Sequence, residues 1–154
     1  MTLMDRRRAL MAQGGGEEQW EDVTPSLGDF VAASGSGAQK TYNSTAETLR
    51  VYCTGKKTYC GGYLPYNLTL GYKYKVSYHV TVTAGTHRTA FSQGASSSIL
   101  SPNSGNQTSS GDIEYTYEYT GSPTVGYFRV FCTMATSEIG DCTISNFKIE
   151  RATA

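Results

Sequence analysis

The stretch from Leu68 to Thr83 limits what this chain can fold into more than any other. From Tyr72 onward it alternates without a break. Tyr72, Tyr74, Val76, Tyr78, Val80 and Val82 fall on one face, and Lys73, Lys75, Ser77, His79, Thr81 and Thr83 on the other. Period two is the mark of a β-strand, whose successive side chains point to opposite sides of a sheet. β-branched and aromatic residues suit a pleated surface that is packed on one side and wet on the other. Twelve such residues at roughly 3.3 Å each run about 40 Å, enough to cross a large sheet within one domain. The expected fold is therefore an all-β, two-sheet β-sandwich; jelly-roll and immunoglobulin-like strand orders share this alternation.

Shorter segments carry the same signal. Phe30 to Ala33, Thr48 to Cys53, Tyr59 to Leu64 and Thr89 to Ser92 read as strands. Asp112 to Thr120 alternates with Ile113, Tyr115, Tyr117 and Tyr119 inward. Val125 to Met134 places Phe128, Val130, Cys132 and Met134 on the core side and Tyr127, Arg129, Phe131 and Thr133 outward. In the last strand, Cys142 to Glu150, the step from Ile144 to Phe147 and Ile149 breaks parity once, which predicts a bulge. Thr54-Gly55-Lys56-Lys57-Thr58 reads as a hairpin connection between its two flanking strands. Gln93 to Gly111 is mostly Ser, Gly and Asn, with Ile99 and Leu100 as its anchors and room for one short strand around Ser98 to Ser101. A connection that long is usually functional or mobile.

Residues 1–16 differ in composition from the rest. Leu3, Met4, Leu10 and Met11 share one face of a short helix, with Arg6, Arg7 and Arg8 around the other side, and Gly14 to Gly16 end it. About 11 helical residues are marginal alone in water, so this segment, helical or extended, reads as an anchor that orders when docked on a partner. Leu3, Met4, Arg7, Leu10 and Met11 are its candidate partner-binding residues. The expected organisation is 1–16 anchor and glycine linker, 17–154 β-sandwich, with homo-oligomers as the natural setting for such a stripe.

Charge and motifs exclude several functions. Charged residues make up 17% of the chain and the formal net charge is zero, so no field is available to steer nucleic acid. No apolar run approaches the roughly 18 residues of a membrane span, and the start lacks the apolar region of a secretory signal. Synthesis in the cytoplasm is the expectation. Cys53, Cys60, Cys132 and Cys142 form two local pairs that would flank hairpins, and they read as small buried apolar residues in preference to disulfides. Neither pair has C-x-x-C spacing, so no metal is expected. Glu114 and Glu118 share a strand face but sit about 13 Å apart, wider than the roughly 5 to 9.5 Å of a glycosidase pair. With two histidines and no nucleophile elbow, no catalytic residue is assigned and no enzyme is expected.

What remains is a binding surface. Aromatic faces stack on the apolar side of a pyranose while fixed polar groups hold its hydroxyls. Outward Tyr127, Arg129 and Phe131, with His79 on a strand expected beside them and Tyr63 and Tyr66 in Gly62-Tyr63-Leu64-Pro65-Tyr66, supply those parts. The same residues equally suit a protein interface, since Tyr and Arg dominate both kinds of surface.

Leu68-x-Leu70-Gly71-x-x-Tyr74-x-Val76-Ser77-Tyr78-x-Val80, together with the closing Ile144-Ser145-Asn146-Phe147-Lys148-Ile149-Glu150, resembles the carbohydrate-binding-module-like jelly rolls of the galactose-binding-like superfamily over residues 20–151. That resemblance implies a glycan-binding, adhesive or architectural module. Ser145 stands where those domains commonly carry aspartate, which tells against their structural calcium and leaves Asp29 and Asp141 as the carboxylates to test. The opening Met4-Asp5-Arg6-Arg7-Arg8-Ala9-Leu10-Met11 resembles the start of small phage and prophage structural proteins. Together the two imply a non-enzymatic phage virion protein, a head decoration, fibre or tail accessory. Its anchor would contact other virion proteins and its sandwich would meet host surface glycans. The alternative is a bacterial extracellular carbohydrate-binding or adhesion module.

Overall fold

A computed structural model describes residues 18–33 and 35–154, and the anchor segment with its candidate residues lies outside them. Ten strands follow in order: β1 (Glu21–Asp22), β2 (Val31–Ala32), β3 (Ala38–Asn43), β4 (Thr48–Cys53), β5 (Gly61–Pro65), β6 (Tyr72–Ala84), β7 (Arg88–Ser92), β8 (Gly111–Glu118), β9 (Tyr127–Phe131) and β10 (Asp141–Thr153). A 3-10 turn, Leu27–Asp29, precedes β2, and its Gly28 amide donates to the Ser26 hydroxyl (3.1 Å). No helix of the described residues is long and apolar enough to cross a membrane.

The strands form two antiparallel sheets packed face to face, a jelly-roll β-sandwich. One has the order β3-β4-β10-β6-β8, with β1 also on β10; the other has the order β2-β5-β9-β7. From β4 onward every connection carries the chain from one sheet to the other. The segment after Cys53 therefore does not close a hairpin as its composition suggests. β4 pairs with β3 and β10, while β5 pairs with β2 and β9 across the sandwich. Turn-forming residues reverse a chain, but they do not specify which sheet receives the next strand.

The core lies between the two inner faces. β6 contributes Tyr74, Val76, Tyr78 and Val80, all buried, to meet Leu64, Phe91, Phe128 and Val130 of the facing sheet. This is the alternation read from the sequence, and its ends, Tyr72 and Val82, are half-buried. Rings interlock through the middle: Phe91 meets Tyr117 and Phe128 with centroids 5.4 Å apart in each case. The parity break in β10 is a bulge. Ser145 pairs with His79 and Lys148 with Ser77, so Asn146 and Phe147 together stand opposite Tyr78 alone, and Asn146 takes a left-handed φ of 52°. That twist turns Phe147 toward the core, where its ring lies 5.5 Å from that of Phe128.

A buried hydrogen-bonded chain ties the sheets together. The His87 Nδ1 proton goes to the Phe131 carbonyl (3.0 Å), which leaves Nε2 to accept from the Tyr78 hydroxyl (2.7 Å). Tyr78 Oη also meets Thr89 Oγ1 (2.7 Å), and Thr89 meets Tyr115 Oη (2.9 Å). Each buried polar tip thus has a partner, which is the condition for placing it there.

Candidate functional site

The outer faces of the sheets differ in chemistry. That of the six-stranded sheet compensates its own charge. Arg50 grips Asp141 through two bonds (3.0 and 2.8 Å), and Lys75 sits between Glu114 and Glu150 (4.0 and 3.8 Å). The Lys75 ammonium also lies 4.3 Å from the Trp20 ring centre. Such exposed pairs make an ordinary solvated surface.

The outer face of the four-stranded sheet is a cleft. Alternation points Tyr63 out from β5, Tyr127, Arg129 and Phe131 out from β9, and Arg88 out from β7. Register sets Tyr63 opposite Arg129, and Phe131 between Gly61 and Arg88. Gly61 keeps that part of the floor flat: a Cβ there would lie 2.1 Å from the Val130 carbonyl oxygen. One wall is built from Val31, Ala33 and Ser36. The other is the serine-rich turn Ala95 to Ile99, held down where Ile99 bridges Ser92 and the Leu100 amide donates to the Phe91 carbonyl (2.9 Å). These surfaces enclose about 920 Å³, closed at one end by Thr58, Tyr59 and Met134. A volume of that size suits a small ligand or a few sugar rings.

Arg129 occupies the middle. Its guanidinium carbon lies 4.6 Å from the Phe131 ring centre, and Nη1 donates to the Ser97 carbonyl. Its Nε is buried with no hydrogen-bond partner, and burial lowers its pKa. Arg88 is held by neutral amides, with Nε and Nη2 on Asn103 Oδ1 (3.1 and 3.0 Å) and Nη1 on Asn106 Oδ1 (3.1 Å).

The residues expected at one binding surface separate accordingly. Tyr63, Arg129 and Phe131 line the cleft, and Tyr127 stands beside it with its ring edge-on to Tyr63 at 5.2 Å. Phe131 points away from the core as its parity requires, yet it is 3% exposed because Arg129 covers its ring; Thr133 is buried as well, accepting from the Cys60 amide. Tyr66 is not in the cleft: it follows Leu64 in phase, faces inward, packs near Phe91 and donates to the Val23 carbonyl (2.8 Å). His79 is not there either. Its strand, β6, belongs to the other sheet, where its Nδ1 lies 2.8 Å from Asp112 Oδ1. Arg88, Tyr59 and the Ser96 to Ser98 wall were not foreseen. For Arg88 the signal was present, since Thr89 and Phe91 point inward and their neighbours must point out.

All four cysteines are free and buried. Three of them cluster: Cys132 joins the local pair of Cys53 and Cys60. Cys53 and Cys132 sulfurs are 3.5 Å apart, and those of Cys53, Cys60 and Cys132 all lie within 4.8 Å of one another, the one described cluster close enough to share a metal ion. Burial pushes the Cys60 and Cys142 thiols up to about 12, and that of Cys132 higher still. Of the carboxylates considered for calcium, Asp141 is occupied by Arg50 and Asp29 stands exposed at the end of the 3-10 turn.

The sequence matches no protein-family model and no curated protein. Among solved structures the fold is similar to that of "CBM4 structure and function", a carbohydrate-binding module, with TM-score 0.53 and 14% identity over 87% of each chain. A further similar structure, "BiXyn10A CBM1 APO", has TM-score 0.46 and 15% identity over 89% of this chain and 97% of the other. The likeness to the first of these is one of fold, a two-sheet β-sandwich.

Proposed function

We propose that the protein is a non-catalytic glycan-binding module whose ligand lies in the cleft on the outer face of the four-stranded sheet. The observation that carries this reading is the convergence in one 920 Å³ cleft of an aromatic ring, Tyr63, two arginines and a wall of serine hydroxyls and backbone carbonyls. A ring supplies the stacking platform and the polar groups fix hydroxyl positions. A concave site of this size favours a small ligand over the flatter contact that two protein surfaces make. Among the described residues the cleft lining contains no Asp, Glu, His or Cys, so these residues offer no carboxylate pair for glycoside hydrolysis and no base to activate a nucleophile. Mounting on a virion is a separate proposal that rests on the sequence of residues 1–16. Light scattering of the full chain and of a version lacking that segment tests it.

The cleft itself is tested by a glycan array with the full chain and Tyr63→Ala. Binding that Tyr63→Ala removes supports the reading. Absence of any glycan signal, with instead a concentration-dependent dimer that Tyr63→Ala breaks, makes the cleft a protein interface.

A further inference from the structure

The cleft holds its arginines differently from the rest of the described fold. Arg50, on the outer face of the six-stranded sheet, and Arg151, in register with Tyr74 near the end of the same sheet, are each paired with a carboxylate. Among the described residues Arg88 and Arg129 have no carboxylate partner. They are held by neutral acceptors, the side-chain carbonyls of Asn103 and Asn106 and the backbone carbonyl of Ser97. Among the described residues no acidic side chain lines the cleft. In a chain whose formal net charge is zero, two cations are thus fixed in one concavity without a counter-charge.

The two are neighbours. On the β7 and β9 ladder Arg88 pairs with Phe131 and Ala90 with Arg129, so the arginines are diagonal residues on one face, about 7 to 8 Å apart along the backbone. Each guanidinium has five N–H donors in a planar fork. These neutral bonds hold each fork in place and leave donors over: Arg129 makes one such bond, through Nη1, and its Nε is partnerless. A planar fork immobilised by neutral groups, partly desolvated and stacked on a ring, is the arrangement that recognises a carboxylate or sulfate oxygen pair.

Building on the glycan-binding reading, we infer that the ligand is an acidic sugar chain, with its carboxylate or sulfate group placed at Arg129 and Arg88 and a neighbouring ring against Tyr63. The anion supplies the counter-charge the cleft lacks. Low-dielectric walls strengthen the attraction, and salt weakens it.

The test is calorimetric titration of the full chain with three oligosaccharides of matched length: a galacturonate oligomer, a sulfated galactose oligomer and a neutral galactose oligomer. Each is run at about 0.05 M and about 0.5 M salt, with Arg129→Gln, Arg88→Gln and Tyr63→Ala as variants. The expected result is one acidic oligomer bound at least roughly tenfold more tightly than the neutral one at low salt, the advantage shrinking at high salt and disappearing in both arginine variants. Whichever acidic oligomer wins identifies carboxylate or sulfate. Neutral binding equal to acidic, lost in Tyr63→Ala and unaffected by the arginine variants, overturns the acidic ligand and leaves the glycan reading standing. Binding of none of the three overturns both. Arg88→Gln keeps the test sound if Arg129→Gln fails to fold.

Discussion

Tyr63 and Tyr127 meet edge to face across adjacent strands, ring centroids 5.2 Å apart and planes at 87°. Tyr63 lines the cleft and Tyr127 does not, so the second ring holds the first upright. Edge-to-face pairs contribute about 0.5 to 1.5 kcal/mol beyond area burial. Tyr63→Ala removes the stacking platform and is expected to weaken glycan binding at least tenfold. Tyr127→Ala is expected to cost only a few-fold, through a less fixed Tyr63, while Tyr127→Phe leaves binding unchanged. Titration of the three variants with one oligosaccharide checks the order. Equal losses from both alanines would mean that Tyr127 touches the ligand itself.

His87 gives the fold a pH limit. Burial lowers its pKa to about 4, against the opposing effect of its bond to the Phe131 carbonyl, whereas in the unfolded chain it titrates near the ordinary 6.5. Between those values the unfolded state binds a proton that the native state refuses, so stability is complete above about pH 6.5 and falls as the pH drops toward 4. The contribution lost is on the order of 3 kcal/mol. Denaturant unfolding at pH 7.5 and 4.5 should show a steeper loss for the native chain than for His87→Gln, which lacks the titrating group. Parallel losses would place the acid sensitivity in the carboxylates.

The thiols are expected to be silent in the folded state. Cys60 and Cys142, pushed up to about 12 by burial, carry almost no thiolate at pH 8, and none of the four side chains is open to a reagent. An aromatic disulfide reagent should therefore label the native protein no faster than it unfolds, and should count all four cysteines in denaturant. One rapid equivalent without denaturant would show that the end of the sandwich around Cys53 opens locally.

Which parts of this architecture could be read in advance follows from what each segment buries. β6 was legible because a strand with one packed face must alternate, and Tyr74 to Val80 do so without exception. The bulge was legible because Ile144 and Ile149 are both buried and five positions apart, which even spacing on one face does not allow. β3 left no trace: Gln39, Lys40 and Thr41 are all exposed on an edge strand, so nothing forces a pattern. Sheet membership was equally silent. Parity says which face His79 occupies but not which sheet carries it, and so His79 was grouped with β9 residues that lie across the core. Tyr66 was recoverable, since it continues the inward phase of Leu64 past Pro65. The cleft's serine wall was hidden because it depends on a long connection folding back onto β7 through the bridge at Ile99.

Gly61 tests whether the cleft floor needs the shape seen here. Its backbone passes so close to β9 that an added Cβ would lie 2.1 Å from the Val130 carbonyl oxygen and 2.8 Å from the Phe131 Cα, both main-chain atoms that cannot swing aside. Gly61→Ala must therefore push β5 from β9 or twist the ladder, at a cost on the order of 3 kcal/mol. Gly55, in the connection after β4, has nothing within 4 Å of the same position and no positive φ, so Gly55→Ala should leave stability within about 0.5 kcal/mol. Because Gly61 pairs with Phe131, the ring under Arg129, a folded fraction of Gly61→Ala should also bind glycan more weakly, which Gly55→Ala should not. Denaturant unfolding and titration of the pair separate the possibilities. Equal stability of the two variants would show that β5 and β9 have slack at this point, and that Gly61 is not what sets the shape of the floor.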